Sequence, residues 1–452
     1  LRSMQNSSTT ADTHAPGPPA GWRWAPAWVL AFVALWPAPG YAEGVMSLGA
    51  IAAIVVLLAS RFRGGAALLS GPAWALTSVL FFAYWLPEAF SSIDAVDRAL
   101  ALRESAFDLR YLPFLWLVAS AVADARGRRI TFGGLAIIVA IWTIDAVLQA
   151  VSGTSPLFFG IDTIKHAISG HGMCTDAEAL AVDRLSGILG PCNLKFGQML
   201  ASMSPFALYA AARRWGVPGW CVASAVVGAI VLLGGARAAW ISYALVLLWS
   251  GWRLLGWKRL LAVFAFGAIA LAALGLFVPQ VETRLQRTTQ LLAADAGGVD
   301  NALSGRGRIW SAAMCMYRTH PINGVGARGF RDAFNGCDAE AGKLAAWGEG
   351  PALHAHHWVL EVASETGTIG LVLWLAGIAL GWRAWRYASE TARDRARPAM
   401  LALVVTLFPF NTHLAFYSTF WGGLALMLAA LYAGSLLSRD PEPAAAPAAA
   451  AA

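Results

Sequence analysis

The sequence predicts an all-α polytopic membrane protein with about twelve transmembrane helices. Three observations predict it. The 452 residues are 58% hydrophobic and only 13% charged, against about 25% charged in soluble chains. Mean hydropathy is +0.57. The apolar residues fall in continuous runs near 20 residues, the length that spans a bilayer as a helix, and not in the alternating ten-residue segments of a barrel. The 21 tryptophans suit many interfacial belts.

The expected spans lie at about 24–39, 43–60, 67–87, 109–124, 130–151, 193–212, 217–234, 237–251, 259–279, 357–381, 398–414 and 417–437. They form a single membrane domain, 24–437, between a flexible tail, 1–23, and a low-complexity Ala/Pro tail, 438–452. Alternate short connections carry the arginines and lysines: Arg61 and Arg63, then Arg126, Arg128 and Arg129, then Arg213 and Arg214, then Arg253, Lys258 and Arg259, then Arg383, Arg386, Arg393, Arg395 and Arg397. By the positive-inside rule these are cytoplasmic, as are both termini. The net charge of +7 is therefore a topology signal and not a nucleic-acid footprint.

This sidedness puts two long connections outside, about 152–192 and 280–356; seven of the eight histidines fall on that side, His166, His171, His320, His354, His356, His357 and His413. Four of the five cysteines lie there too. An oxidising compartment would pair them locally, Cys174 with Cys192 and Cys315 with Cys337; four unpaired apolar thiols are the other reading.

Three outer arginines stand out: Arg184 before the sixth span, Arg237 at the start of the eighth, and Arg306 in "SGRGRIW". One arginine at a span edge also reads as snorkelling. Three guanidiniums with Lys195 read as an anion site, because the fork matches phosphate oxygens. Gly234 and Gly235 before Arg237 allow close approach by a ligand or a helix. No Asp-x-Asp occurs in the outer segments. A zinc site of His354, His356 and His357 with Cys337 or Glu361 lacks the spacing of strong zinc motifs, so no metal and no cofactor is expected. On an ideal helix His357, Glu361 and Glu365 share a face and His356 points away from it. A glutamate as deep as Glu365 is either functional or a buried hydrogen-bonded carboxyl.

His356, Leu360, Glu365, Gly367 and Gly370 match His-x-x-x-Leu-x-x-x-x-Glu-x-Gly-x-x-Gly and so resemble the O-antigen ligase and polymerase superfamily. His357 stands where that family has Asn or Ser, which leaves two histidines as candidates. Arg184, Gly187 and Asn193 resemble its Arg-x-x-Gly…Pro-Asn stretch, with Cys192 inserted before the Asn. Arg237 resembles the arginine of Ser-Arg-Gly-Ala, with Ala236 for the Ser. Arg306, Trp310, Pro321, Gly324 and Gly326 resemble Arg-x-x-x-Trp…His-Pro-x-x-Gly-x-Gly. "PFNTHLAFYS", which contains His413, looks like the ligase branch. The resemblance implies a GT-C-type glycosyltransferase of the bacterial inner membrane, acting at the periplasmic face. It implies a donor of O-antigen on undecaprenyl diphosphate and an acceptor sugar hydroxyl on lipid A–core.

On this reading His356 is the general base. Arg184, Arg237 and Arg306, with Lys195 and His357, hold the diphosphate. Glu365, Gly367, Gly370, Asn193 and His413 support the site. The partners are donor, acceptor and membrane lipids, with no nucleic acid. Two rivals remain: a polymerase that extends lipid-linked glycan, and a transporter, which the absence of internal repeats and the one-sided polar cluster disfavour.

Overall fold

The computed structural model of the chain describes residues 20–63, 67–174, 184–277, 306–339, 351–411, 415–438 and 440. The two terminal tails, His413 and the outer segments 278–305 and 340–350 lie outside the described residues. Among the described residues all regular structure is helical.

In chain order the helices are α1 (Ala25–Ala34), α2 (Pro39–Phe62), α3 (Gly71–Ser91), α4 (Arg98–Asp108), α5 (Tyr111–Ser120), α6 (Ala125–Ser152), α7 (Pro156–Ser169), α8 (Phe196–Leu233), α9 (Arg237–Leu255), α10 (Trp257–Phe277), α11 (Arg306–Thr319), α12 (Phe330–Cys337), α13 (Trp358–Tyr387), α14 (Glu390–Thr406) and α15 (Trp421–Leu436). Each expected span overlaps a helix. Five helices among the described residues, α2, α6, α8, α9 and α13, are long and apolar enough to cross a membrane. α1 and α5, of 10 residues each, rise only about 15 Å, half of a roughly 30 Å hydrocarbon core. The sixth and seventh expected spans form α8, which breaks at Gly216 (φ 65°, ψ −148°).

Local chemistry sets many of the boundaries. Ser70, Asp97, Asp124, Ser155 and Ser389 each cap a helix by accepting a backbone N–H. Small residues set the packing, as in membrane bundles generally. A Cβ on Gly434 of α15 would stand 2.3 Å from the Ala119 carbonyl of α5. One on Gly377 of α13 would stand 2.6 Å from Ala83 of α3. Trp36, Trp142, Trp220 and Trp421 are fully buried in the shared core.

Between the third and fourth expected spans, α3 runs on to Ser91 and α4 follows. One expectation is corrected. The tenth span does not begin at the paired histidines. His356 has φ +53° and His357 is extended, so α13 starts at Trp358. The His354 imidazole takes the His356 N–H at 3.1 Å, a local bond that competes with helix formation. The helical-face argument that set His356 apart from His357 therefore does not hold.

α13 is itself broken. Gly367 has φ 65° and ψ −159°, outside the helical region. The break leaves backbone groups on both sides without helical partners, and loop 321–326 takes them. Val325 N donates to Ser364 O (2.9 Å), Gly326 N to Glu365 O (3.0 Å), Thr368 N to Pro321 O (2.9 Å) and Ile369 N to Ile322 O (3.1 Å). A Cβ on Gly367 would lie 2.3 Å from the Ile322 carbonyl.

Disulfides join Cys174 to Cys192 and Cys315 to Cys337, with Cα separations of 5.4 and 5.6 Å. Cys221, exposed on α8, is the free cysteine. Alkylation of protein denatured without reductant should modify Cys221 alone, as read by peptide mass. Labelling at any of the other four would refute the pairing.

Candidate active site

The site is built where α8, α9, α11 and α13 begin. Gln149 near the end of α6 holds the segment before α8: its Oε1 accepts from Gly187 N at 2.7 Å and its Nε2 donates to Ser186 Oγ at 3.2 Å. Gly187 has φ 52°, and a Cβ there would meet the Phe196 ring at 2.8 Å, which is the physical content of the glycine in Arg-x-x-Gly. Leu185 N donates to Leu233 O at 3.3 Å. This bond sets Arg184 against the Gly234–Gly235 turn that leads into Arg237. The close approach at Gly234 is to α8, since its Cβ would stand 3.4 Å from Gly197 Cα.

Arg306 opens α11 and joins the other two. Burial, then the charges of Arg237 and Arg184, push its pKa down to about 10, so it stays cationic near neutral pH. The three guanidiniums singled out in sequence are thus within electrostatic reach of one another. Arg308, two residues on, is committed elsewhere: its Nε donates to Asp338 Oδ1 at 2.7 Å and its terminal nitrogen to Oδ2 at 2.5 Å.

One turn along α11, Trp310 meets the His357 ring edge-on, centroids 5.6 Å apart. This brings the arginine-bearing helix to the histidines. The His354 and His356 rings lie 3.9 Å apart between centroids. A positive φ is costly for a non-glycine residue, about 1–3 kcal/mol, and His356 is held in it by the bond from its N–H to His354. His354 Nδ1 also lies 3.7 Å from Glu361 Oε2. The other oxygen of Glu361 accepts from Phe416 N at 2.6 Å. Glu361 and Lys195 feel each other's charge. Cys337 is in a disulfide, which removes it as a thiolate ligand for zinc.

Other predicted residues fall apart from the arginines. Glu365 accepts the Arg328 N–H at 2.8 Å, and Gly367 forms the break in α13. On Gly370 a Cβ would collide with Thr366 Oγ1 at 1.9 Å. Glu365 and Gly367 build the junction with loop 321–326, while Gly370 packs within α13. Asn193 turns its N–H to Gly190 O at 3.1 Å, and its buried Oδ1 has no hydrogen-bond partner among the described residues.

Sequence reasoning weighed His354 only as a zinc ligand and passed over Gln198. Both amide atoms of Gln198 are buried without partners among the described residues, one turn after Lys195. A lone amide in the apolar run "KFGQMLASM" was the available signal. The link from Glu361 to Phe416 N had none, because it joins residues far apart in sequence.

Fold and site define a class: a helical multi-pass membrane protein with a cationic cluster beside histidines at one end of its helices. Residues 222–375 match the family model described as O-antigen ligase, which supports an O-antigen ligase-type family. The matched region holds Arg237, Arg306, the histidines and the Glu365–Gly370 junction. No curated protein matches the chain.

Loss of the Glu365 acceptor leaves buried N–H groups unpaired, at about 1–3 kcal/mol. Glu365→Ala should therefore lower the temperature at which monodisperse protein is lost on size exclusion. Glu365→Gln, which keeps an acceptor oxygen, should retain most of the stability. Equal losses would show that the charge matters and not the hydrogen bond.

Proposed function

We propose that the chain is an O-antigen ligase: a metal-independent, inverting glycosyltransferase of GT-C type with about twelve spans in the bacterial inner membrane. It moves O-antigen from undecaprenyl diphosphate to a sugar hydroxyl of lipid A–core at the periplasmic face. The observation that carries this reading is the convergence of Arg184, Arg237 and Arg306 next to the histidines. Three guanidiniums within electrostatic reach of one another suit a diphosphate leaving group, and the family match supports glycan transfer. The disulfides support an oxidising compartment for this end of the molecule.

The acceptor hydroxyl is a weak nucleophile near neutral pH. His356 takes its proton as the oxygen attacks the anomeric carbon. The bond to the diphosphate breaks on the opposite face, so the anomeric centre inverts. The arginine forks, with Lys195 and His357 at the edge, stabilise the charge that the leaving diphosphate gains. Glu361 faces His354 and is bonded by Phe416 N, so it is not offered as a covalent nucleophile.

His356→Ala should fold and lose transfer to lipid A–core in a reconstituted reaction; full activity would sink the assignment. Arg237→Lys should lower kcat/KM at least about 10-fold, because an ammonium does not reproduce bidentate hydrogen bonds. Offering lipid A–core and lipid-linked glycan as competing acceptors separates ligase from polymerase: product only on the lipid carrier would select the polymerase.

A further inference from the structure

Away from this site, α13 and α14 enclose a second feature. They are joined by a short link at Ala388–Ser389. α13 leans on α3 and α14 on α15, and α15 packs against α3. Between α13 and α14 lies a cavity of about 300 Å³. Gly377 and Gly381 on one wall, and Ala425 and Ala429 at the back, make the room. Its two tyrosine hydroxyls are turned into other bonds, Tyr84 to Phe416 O and Tyr432 to Gly381 O. What remains to the cavity is hydrocarbon and ring.

The cavity opens sideways. Trp382 and Ile378 on its α13 edge are 63% and 43% exposed, and Val404 on its α14 edge is 37% exposed. From Trp374 to Trp385 it follows α13 for about 16 Å, close to the depth of one leaflet of a roughly 30 Å hydrocarbon core. An apolar slot of that length, open to lipid, fits one chain of one leaflet.

The two walls continue into arginines at one end only. On α13, Ile378 and Trp382 are followed at the same four-residue spacing by Arg386. On α14, Arg393 and Arg397 precede Met400 and Val404 on one face. The Arg397 guanidinium lies over the Trp385 ring, 6.0 Å from its centroid. Asp394 bonds Arg397 and shares itself with Arg253 at 3.2 Å, and Glu390 is taken by Arg253 at 2.5 Å. The rim therefore keeps excess positive charge. Among the described residues, none that lines the cavity itself is charged; the arginines lie just beyond its Trp385 end.

We propose that this slot binds one acyl chain of an anionic phospholipid, with its phosphate headgroup on Arg386, Arg393 and Arg397. Basic pockets between membrane helices bind anionic headgroups in this way. A polyprenyl donor is the wrong occupant. Trp358 to Tyr387 covers the length of α13, so a diphosphate at the histidine end lies about 40 Å of helix from this rim. The inference stands independently of the function proposed above.

Native mass spectrometry of the full chain, with phosphatidylglycerol or phosphatidylcholine of identical chains, tests it. Phosphatidylglycerol should bind in excess. Gly381→Leu fills the slot, and its first added carbon meets only Leu80 at 3.8 Å. That variant, and separately the triple variant Arg386→Gln, Arg393→Gln, Arg397→Gln, should each cut the phosphatidylglycerol adduct at least about 5-fold. The triple variant alone carries the test if the slot-filling one does not fold. Equal binding of both lipids, or an undiminished adduct in the triple variant, overturns the proposal. So does undecaprenyl phosphate displacing the phospholipid from the wild type and still binding the triple variant.

Discussion

The break of α13 at Gly367 is the constraint on which the rest depends. A helix in a low-dielectric setting cannot leave its backbone groups unpaired, because each would cost several kcal/mol. Four of them are taken up by loop 321–326, so helix and loop are defined only together. The loop is tied in turn to the start of the chain: Val96 N donates to Val325 O at 3.0 Å, Ala327 N to Ser91 Oγ at 3.1 Å, and Arg328 pairs with Glu104 at 3.1 Å. The upper part of α13 inherits its direction from this knot, and with it the positions of Glu361 and the histidines. Glu365, Gly367, Gly324 and Gly326 look like scattered motif residues; in the fold they are two halves of one joint.

The arginine cluster is the opposite kind of feature. It gathers like charges where water is partly excluded, which is unfavourable by itself. What holds it is local and covalent or hydrogen-bonded: the Gln149 clamp on Ser186 and Gly187, the Leu185–Leu233 bond, and disulfides that tether the flanking segments. Under the proposed function, a scaffold that holds these cations close in advance would meet the diphosphate without reorganising.

Much of the helical layout was legible because membrane spans write themselves as long apolar runs. α4, α7, α11 and α12 were not, since short amphipathic helices between spans resemble loops in composition. The three arginines were singled out from charge counts along the chain and not from contacts, and they do lie within electrostatic reach of one another. The histidine geometry was not. It turns on a left-handed backbone at His356 and an imidazole that captures a backbone N–H, and ideal helix periodicity misassigned both residues. Gly367 was legible as a motif residue that supports the site, but not its positive φ or the Ile322 carbonyl against it, which make it the break in α13.

The cationic cluster draws on residues 184, 237 and 306, and the histidines beside it on 354–357, so no single helix or loop contains it. Contacts between distant segments form late, after the intervening helices are in place. The cluster and the histidines therefore come together only once α13 is seated against α11.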